Sequence, residues 1–210
     1  GESMTLYIVK YKGAFGFIKP WTAVRDAETF TQQFLTPSII EGIEKKLFPE
    51  LIENVGLSGA IVAHRLTYSG IDRQQEQTQP RSIKMQSRAQ VVKIERPRAI
   101  LVRGVMIDPV VFLAFSTKEY AERAMVQHIC LCRNEDVLLP IGDIRECSQE
   151  EFDTEDNGFN GFELRFTQGD NSFLVGYNRF ENIDNKPAPM YGELHIVGKP
   201  IYHSLEHYNE

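Results

Sequence analysis

The sequence predicts an α+β fold in which two helices cover one face of an antiparallel sheet. Short runs rich in β-branched and aromatic residues predict the strands, and two segments with apolar residues at helical spacing predict the helices. These segments follow one another as strand, helix, strand, strand, helix, strand, which is the order of a ferredoxin-like (RRM-like) βαββαβ unit. We expect this unit over residues 4–138, and a small C-terminal antiparallel β-subdomain over residues 139–210.

The first strand and the first helix have the clearest local signals. The run "TLYIVKY" at residues 5–11 has the composition of a strand, and "GAFGFIKP" after it predicts a loop. In "TPSIIEGIEKKLF", Thr36 or Ser38 is the expected N-cap, and Pro37 stands where a missing N–H costs nothing. Pro49 is expected to end this helix.

The middle of the chain alternates β-rich and polar segments. Residues 55–68, "VGLSGAIVAHRLTY", predict a strand, whereas residues 69–88 are so polar that they predict a long loop or a loosely ordered hairpin. Residues 96–115 predict two further strands, divided by Gly104 and Asp108-Pro109.

The second helix is predicted to begin at Ser116. Ser116 as N-cap and Glu119 three residues later have the spacing of a capping box, and Tyr120, Ala124 and Ile129 follow at helical intervals. Beyond this helix, "FELRFTQGDNSFLVGYNRF" predicts a hairpin around a Gly-Asp-Asn turn.

The composition is that of a protein with a sizeable core. The chain has 210 residues, 42% of them hydrophobic, and its longest apolar pieces, such as "VVFLAF" at residues 110–115, are too short to cross a membrane. Cys130, Cys132 and Cys147 are an odd number of cysteines in a chain too large to need disulfides, so we interpret them as buried free thiols. We expect a cytoplasmic protein without a membrane partner.

Charge is distributed unevenly along the chain. The formal net charge is −6, but residues 62–104 carry nine Lys and Arg against three acids, a net charge of +6. Residues 105–210 carry eight Lys and Arg against nineteen acids, a net charge of −11. A basic segment of this kind favours binding to a polyanion, and decoration of the solvent faces of strands explains it equally well.

The sequence lacks the familiar motifs for nucleotide binding, zinc binding and serine nucleophiles. The acidic run "EEFDTED" at residues 150–156 lacks the alternating ligands and the fixed glycine of a calcium loop, so we interpret it as a solvated loop. His203 and His207 stand four residues apart without an evident third ligand. We expect neither a metal site nor a bound cofactor.

Several segments, taken in order and spacing, resemble a known family. They are "YKGAFGFIKPW", "FLTPSIIEGIEKKLF", "IGDIREC" at residues 141–147, and the late "FLVGYNRFEN" and "GELHIVGKPIYH". Together they resemble the CRISPR-associated Cas-five family of RAMP proteins, most closely its type I-C (Dvulg) members, over nearly the whole chain. The strongest piece is Gly142 followed by Arg145-Glu146-Cys147. Gly142 suits a tight backbone position, and Arg145 and Glu146 could form a local ion pair.

The resemblance implies RNA binding and, for its closest members, RNA cleavage. Members of this family bind the repeat-derived part of CRISPR RNA (crRNA) through a ferredoxin-like domain, and they assemble with other subunits into a Cascade-like surveillance complex. Type I-C members commonly also cut the precursor RNA as endoribonucleases, without a metal, using a tyrosine, a lysine and a histidine. In such a cut a base takes the proton of a 2′-hydroxyl, a cation stabilises the pentavalent phosphate, and an acid protonates the leaving oxygen. The implied partners are CRISPR repeat RNA and other subunits of the complex.

The three catalytic positions of the family are only partly kept. Its tyrosine falls on Phe48, which has no hydroxyl, and its adjacent lysine and histidine fall on Lys118 and Glu119. Lys118 keeps the cation, whereas a carboxylate at Glu119 repels phosphate unless it is protonated. Tyr120 next door could supply a hydroxyl, although its place on the apolar stripe of the helix is also typical of a core residue. The candidate catalytic residues are therefore Lys118, Glu119 and Tyr120.

RNA contacts are predicted mainly from the basic segment. The candidate residues are Lys19, Lys46, Arg65, Arg73, Arg81, Lys84 and Arg88. His64, Tyr68 and His128 carry further groups suited to proton transfer, although a single histidine is more often packed or solvated. Two alternatives stay open, a non-catalytic crRNA-binding structural subunit and a ferredoxin-like interaction module of unknown ligand.

Overall fold

The computed structural model describes residues 4–18, 28–30, 34–53, 59–77, 82–86, 91–95, 100–167 and 169–198. The helices in these ranges are α1 (Pro37–Leu47), α2 (Lys118–Ala124) and α3 (Gln149–Asp153), and short 3-10 helices span Pro49–Glu53 and Glu155–Asn157. The strands are β1 (Thr5–Lys12), β2 (Phe15–Gly16), β3 (Glu28–Phe30), β4 (Ile61–Thr67), β5 (Gly70–Gln77), β6 (Ser82–Gln86), β7 (Val91–Glu95), β8 (Ile100–Ile107), β9 (Val110–Phe115), β10 (Ile129–Cys130), β11 (Val137–Ser148), β12 (Gly161–Phe166), β13 (Phe173–Ile183) and β14 (Lys186–Val197). No helix in the described ranges is long and apolar enough to cross a membrane.

One large sheet organises the chain. Its strand order is β10-β11-β1-β9-β4-β12-β14-β13, and its neighbouring strands run antiparallel. In a smaller sheet, β8 pairs antiparallel with β2 and β5 and parallel with β3. The prediction of an α+β fold built mostly on antiparallel strands is confirmed.

Helices α1 and α2 pack on one face of the central strands. Ile43 and Leu47 of α1 and Ala121 and Ala124 of α2 join a buried apolar cluster with side chains of β1, β4 and β9. Tyr11 of β1 ties this layer together, because its hydroxyl donates to the carbonyl of Ala124 at 2.8 Å. Burial raises the pKa of Tyr11 well above its usual range, so the phenol stays protonated as a donor.

Helix α1 begins and ends where the sequence predicts. Thr36 is the N-cap, Pro37 opens the helix, and Phe48 is the C-cap just before Pro49. The missing N–H of proline is harmless here, because the first N–H groups of a helix have no partner within it.

The second helix is shorter than predicted and begins later. Helix α2 has 7 residues, and its N-cap is Thr117, whose hydroxyl accepts from the Tyr120 N–H at 3.3 Å. The predicted capping box of Ser116 and Glu119 is therefore wrong. With Thr117 at the N-cap, the third helical residue is Tyr120, which has no carboxylate to return the hydrogen bond.

Helix α3 covers part of the opposite face of the sheet. Phe152 of α3 and Phe159 after it pack with Leu6 and Ile8 of β1 and with Phe112 of β9. The Phe159 ring centroid lies 5.4 Å from that of Phe112 and 5.2 Å from that of Phe152. These aromatic contacts hold a short helix against the strands that it covers.

The acidic run at residues 150–156 is not a plain solvated loop. Ser148 and Glu151 form a capping box at the start of α3, and the Phe152 side chain is fully buried. The prediction is wrong because Phe152, which stands among the acids, is buried in an apolar cluster, and this burial stabilises the short helix around it.

The polar segment at residues 69–88 contains strands where the structure describes it. Strand β5 pairs with β8 over its whole length, and β6 pairs with β7 as an antiparallel ladder. The alternative of a long loop is wrong for β5 and β6, and the alternative of a hairpin within residues 69–88 is wrong as well, because each of these strands pairs with a strand beyond residue 88. Backbone hydrogen bonds to β8 hold β5 although its own side chains are mostly polar.

The C-terminal strands extend the large sheet beyond β4. The hairpin predicted from residues 162–180 is wrong, because β14 lies between β12 and β13 and pairs with both. The tight turn instead joins β13 to β14 at Asp184 and Asn185, whose φ angles are 53° and 61°. Two residues with positive φ are what a two-residue hairpin turn requires. The predicted boundary between residues 138 and 139 falls inside β11.

The segment "IGDIREC" lies in β11 and contains an irregularity opposite β1. Gly142 there has a φ of 71°, so the expectation of a tight backbone position is confirmed. Adjacent strand residues such as Arg145 and Glu146 point to opposite faces, which rules out the local ion pair that the sequence suggested. The Arg145 guanidinium lies instead 4.1 Å from the centroid of the Phe159 ring.

None of the three cysteines forms a disulfide, and they are not all buried. Cys132 is exposed, so the prediction of a buried thiol is wrong for it, and Cys130 and Cys147 are half-buried. Helix α2 ends at Ala124, so Cys130 lies beyond it. Cys130 belongs to β10 and pairs there with Val137 of β11. Burial raises the pKa of Cys147.

Candidate functional site

Phe48 is a core residue at the end of α1. Its side chain is fully buried, and its backbone N–H donates to the carbonyl of Glu44 at 2.9 Å. The ring meets Phe115 edge-on with centroids 6.0 Å apart, and it meets Tyr120 at a tilt with centroids 4.7 Å apart. Phe48 therefore contributes packing, and a hydroxyl added to its ring would need a partner inside the core.

Two charged residues form an ion pair at the surface beside Phe48. Arg123 forms an ion pair with Glu50, and that hydrogen bond raises the pKa of Arg123 and lowers the pKa of Glu50. The Arg123 guanidinium also lies 4.8 Å from the centroid of the Phe48 ring. We call Phe48, Glu50, Tyr120 and Arg123 the helix-end cluster, because these residues join the end of α1 to α2.

The candidate catalytic residues of α2 divide between the surface and the helix-end cluster. Lys118 and Glu119 are exposed in the first turn, whereas Tyr120 is half-buried against Phe48. Lys118 makes no ion pair with any residue that the structure describes, so its ammonium is available to a phosphate oxygen. Tyr120 is thus the candidate that lies beside the Phe48 position, and Lys118 and Glu119 lie on the adjoining turn.

Lys46 and Arg73 are predicted RNA contacts that the structure places at the surface. Lys46 is exposed in the last turn of α1, and Arg73 is exposed in β5. Lys84 belongs to β6, but its side chain lies outside the described residues. The remaining predicted contacts outside the described residues are Lys19, Arg81 and Arg88.

Arg65, in contrast, is a buried structural residue. Its side chain is 0% exposed and donates hydrogen bonds to the carboxylates of Glu163 and Asp153. Its guanidinium also donates to the His64 carbonyl at 2.8 Å and lies 4.1 Å from the centroid of the Phe152 ring. The prediction that Arg65 contacts RNA is therefore corrected, because its cation is already neutralised inside the protein and does not reach solvent.

The carboxylates around Arg65 are shared with a second arginine at the edge of the site. Arg165 lies 2.7 Å from Asp153 and 3.1 Å from Glu163, so two cations and two anions form one network. Burial acts to raise the pKa of Asp153, but the Gln149 hydrogen bond and the two arginine charges outweigh it and lower that pKa. Both arginines therefore have anionic partners within the protein, which compete with binding of either cation to a phosphate.

A cavity opens where β4 and β12 separate. The described register joins these strands only at Leu66 and Phe162, and a cavity of about 580 Å³ lies between them, with α1 and α3 forming other walls. His64 lines this cavity, is 8% exposed, and has an Nε2 atom without a hydrogen-bond partner among the described residues. Burial, with the charges of Arg65 and Arg165, lowers the pKa of His64 to about 4. The imidazole is therefore neutral at pH 7.

Glu44 of α1 contributes a second buried polar group to the same cavity. Its carboxylate is 3% exposed, and its Oε2 accepts from the Ile61 N–H at 3.1 Å. Burial raises the pKa of Glu44 although this hydrogen bond opposes the rise. The cavity thus combines apolar walls with a neutral imidazole and a carboxyl group of reduced acidity.

A smaller groove of about 460 Å³ lies between α1 and the segment around β10. Lys46 and His128 line it with Cys130 and Cys132, and the Lys46 ammonium lies 3.8 Å from the Cys130 sulfur. The described residues contain no group of three or more His, Cys, Asp or Glu side chains placed to hold a metal ion. Besides its two thiols, the groove presents the Lys46 ammonium and the His128 imidazole at the surface.

The chain matches no protein-family model and no curated protein sequence.

Two buried acids, Glu44 and Glu163, were not predicted as site residues, and the half-buried Asp153 was predicted only as part of a solvated loop. The available signal was Arg65, which stands among apolar residues in "IVAHRLTY" and needs carboxylate partners if that strand is buried. The partners lie 88 and 98 residues further along the chain. Only the placement of α3 and β12 against β4 identifies them.

Proposed function

We propose that this chain binds the repeat-derived part of CRISPR RNA as a subunit of a Cascade-like surveillance complex, as members of the Cas-five family do. One observation carries the proposal. Strands β11, β1, β9 and β4 stand side by side, the chain visits them as β1, α1, β4, β9, α2 and β11, and both helices lie on one face. This order supports a ferredoxin-like RAMP arrangement, a frame on which many RNA-binding domains are built.

Exposed cations near the helices supply the phosphate contacts in this proposal. Lys46 lies two residues before Phe48, and Lys118 lies two residues before Tyr120, so both cations flank the helix-end cluster along the chain. Arg73 adds an exposed guanidinium on β5. Contacts to phosphates release counterions, so binding should weaken steeply as salt rises.

Metal-independent cleavage of the precursor RNA is a second candidate function. The observation that favours it is the Tyr120 ring, whose centroid lies 4.7 Å from that of Phe48, the residue on which the family's tyrosine falls by resemblance. In the cut, the 2′-hydroxyl attacks the adjacent phosphorus after losing its proton to a base. The bond to the 5′-oxygen breaks, and that oxygen takes a proton from an acid. Lys118 would stabilise the charge on the phosphate.

The test is binding and cleavage of the cognate repeat RNA by the pure protein in a chelator. Fluorescence anisotropy at several salt concentrations gives the affinity and its salt dependence, and a denaturing gel shows any cut. We expect binding in which Lys46→Glu, Arg73→Glu and Lys118→Glu each reduce the salt slope by about 1.

The matched control is Lys186→Glu, which reverses an exposed lysine at the start of β14. It should leave the salt slope unchanged. RNA binding that none of the three reversals weakens would remove these cations from the interface, and no RNA binding at low salt would refute the proposed function. A discrete cut that is lost in Lys118→Ala supports the nuclease, whereas tight binding without a cut supports the structural subunit.

A further inference from the structure

We infer that the cavity between α1, β4 and β12 binds a single nucleobase, whose edge meets His64 and Glu44 and whose face lies against Phe166. The inference rests on the proposed RNA function for the source of the base. The proposed RNA binding requires only phosphate contacts. The cavity would add a site that distinguishes one base from another.

The first step is the unpaired nitrogen of His64. A buried polar atom without a partner is costly, and native structures rarely leave one. His64 is 8% exposed, and its Nε2 has no partner among the described residues, although the residue lines an open cavity. A ligand in the cavity would remove that cost once the imidazole turns toward it, because Nε2 itself has almost no accessible surface. Since the imidazole is neutral at pH 7, one ring nitrogen donates a hydrogen bond and the other accepts one.

The second step is the charge of the cavity walls. Arg165 is held by Asp153 and Glu163, and Glu41 is paired with Lys45 at 2.6 Å, so no described cation of the cavity is left for an anionic ligand. A carboxyl group at Glu44 also disfavours an anion. The ligand that fits is neutral and offers a hydrogen-bond donor to Glu44.

The third step is shape. A cavity of about 580 Å³ is large enough for a nucleobase with its ribose. Leu35, Ile40 and Leu164 give it apolar walls, and the Phe166 ring, 56% exposed, lines it from the end of β12. Single-stranded RNA is commonly read in this way, with a base stacked on an aromatic ring and its edge hydrogen-bonded.

The carboxyl group sets a preference among the bases. The Glu44 Oε2 accepts from Ile61, which leaves Oε1 to accept from an exocyclic amino group. Adenine, guanine and cytosine carry such a group, whereas the donor that uracil offers is its ring N3–H, whose two flanking carbonyl oxygens repel a carboxylate. We therefore expect adenosine, guanosine and cytidine to bind more tightly than uridine.

The test titrates the four nucleosides into the full-length protein by calorimetry. We expect Phe166→Ala to weaken adenosine binding about tenfold, because stacking on an aromatic ring is lost. The matched control is Tyr177→Ala, which removes an aromatic ring of similar exposure, 57%, from β13 outside the cavity. His64→Ala should abolish binding. Phe166→Ala keeps the test decisive if the buried His64 variant fails to fold, because Phe166 is largely exposed.

The same variants are then measured on repeat RNA with single abasic positions. In the wild type, one abasic position should weaken binding, and in Phe166→Ala that position should no longer matter. If RNA binds but no nucleoside binds and Phe166→Ala is silent on every RNA, the cavity assignment is wrong while the proposed function stands. If nucleosides bind through Phe166 but repeat RNA does not bind, the proposed function fails, and the cavity takes its base from a free nucleoside.

Discussion

The buried guanidinium of Arg65 donates a hydrogen bond to the carboxylate of Glu163, which joins β4 to β12 beside the cavity. The two strands share one register pair in the described residues, so this ion pair and its Asp153 neighbour carry much of their association. A cation in this place belongs to the fold rather than to an RNA surface.

Replacing Arg65 should therefore cost stability. Arg65→Met leaves Glu163 buried with only the partly exposed Arg165 as its cation. Removing one partner of a buried ion pair typically lowers the free energy of unfolding by about 3–5 kcal/mol, and we expect the lower end of that range because Arg165 remains. Adding Glu163→Gln should recover part of that loss, because the buried charge that has lost Arg65 disappears. Urea unfolding of the two single variants and the double variant measures the coupling. A loss below about 1 kcal/mol for Arg65→Met would contradict a structural role.

Helix α1 could be predicted from the sequence almost to the residue, because its cap, its first-turn proline and its apolar stripe all lie within one short segment. The strand runs around β1, β4 and β9 were readable for the same reason. The order of β12, β14 and β13 was not, because a turn signal at residues 168–172 suggested that β12 pairs with its neighbour in sequence. The stronger two-residue turn at Asp184 and Asn185 joins β13 to β14 instead.

The candidate site was predictable only in part. Lys118 and Lys46 are exposed as a phosphate-binding role requires, and this follows from their places on amphipathic helices. The burial of Arg65 and Phe48 could not be read locally. It depends on Glu163 and on Tyr120, and these contacts are made across the sheet and between two helices.

The neutral state of His64 predicts a dependence of stability on pH. Burial lowers its pKa from 6.5 to about 4 in the folded protein. Between these values the unfolded chain binds a proton that the folded protein does not, so stability is full above about pH 6.5 and falls as pH drops toward 4. From pH 6.5 to pH 4.5 this group alone should remove about 2 kcal/mol.

Urea unfolding at pH 6.5 and pH 4.5 checks this prediction. His64→Gln should lose less stability than the wild type over that interval, by about the amount that His64 contributes. His128→Gln is the control, because His128 is exposed, and it should lose as much as the wild type. An equal loss in the wild type and in His64→Gln would show that the imidazole is not held neutral.

Variants of Phe48 and Tyr120, whose rings are in contact, distinguish a packing role from a catalytic role. Phe48→Ala opens a fully buried site and should lower the free energy of unfolding by about 3–5 kcal/mol. Tyr120→Phe keeps the ring and removes only the hydroxyl, so stability should change by less than about 0.5 kcal/mol. If the chain cuts RNA through Tyr120, this variant should bind repeat RNA normally and cut it far more slowly. Unchanged cutting would exclude the Tyr120 hydroxyl from the reaction.

Gly161 and Gly142 form a matched pair that tests how closely β12 approaches β4. Both have positive φ, 145° and 71°, so alanine is strained at either position. A Cβ on Gly161 would also lie 2.5 Å from the Leu66 carbonyl oxygen, whereas a Cβ on Gly142 would meet nothing within 4 Å. Gly142→Ala should therefore cost about 1 kcal/mol of stability, and Gly161→Ala should cost clearly more. Hydrogen exchange at the Leu66 and Phe162 amides should also accelerate in Gly161→Ala alone, since the substitution forces apart the register pair that these residues form. Equal costs and equal exchange in the two variants would contradict this close approach.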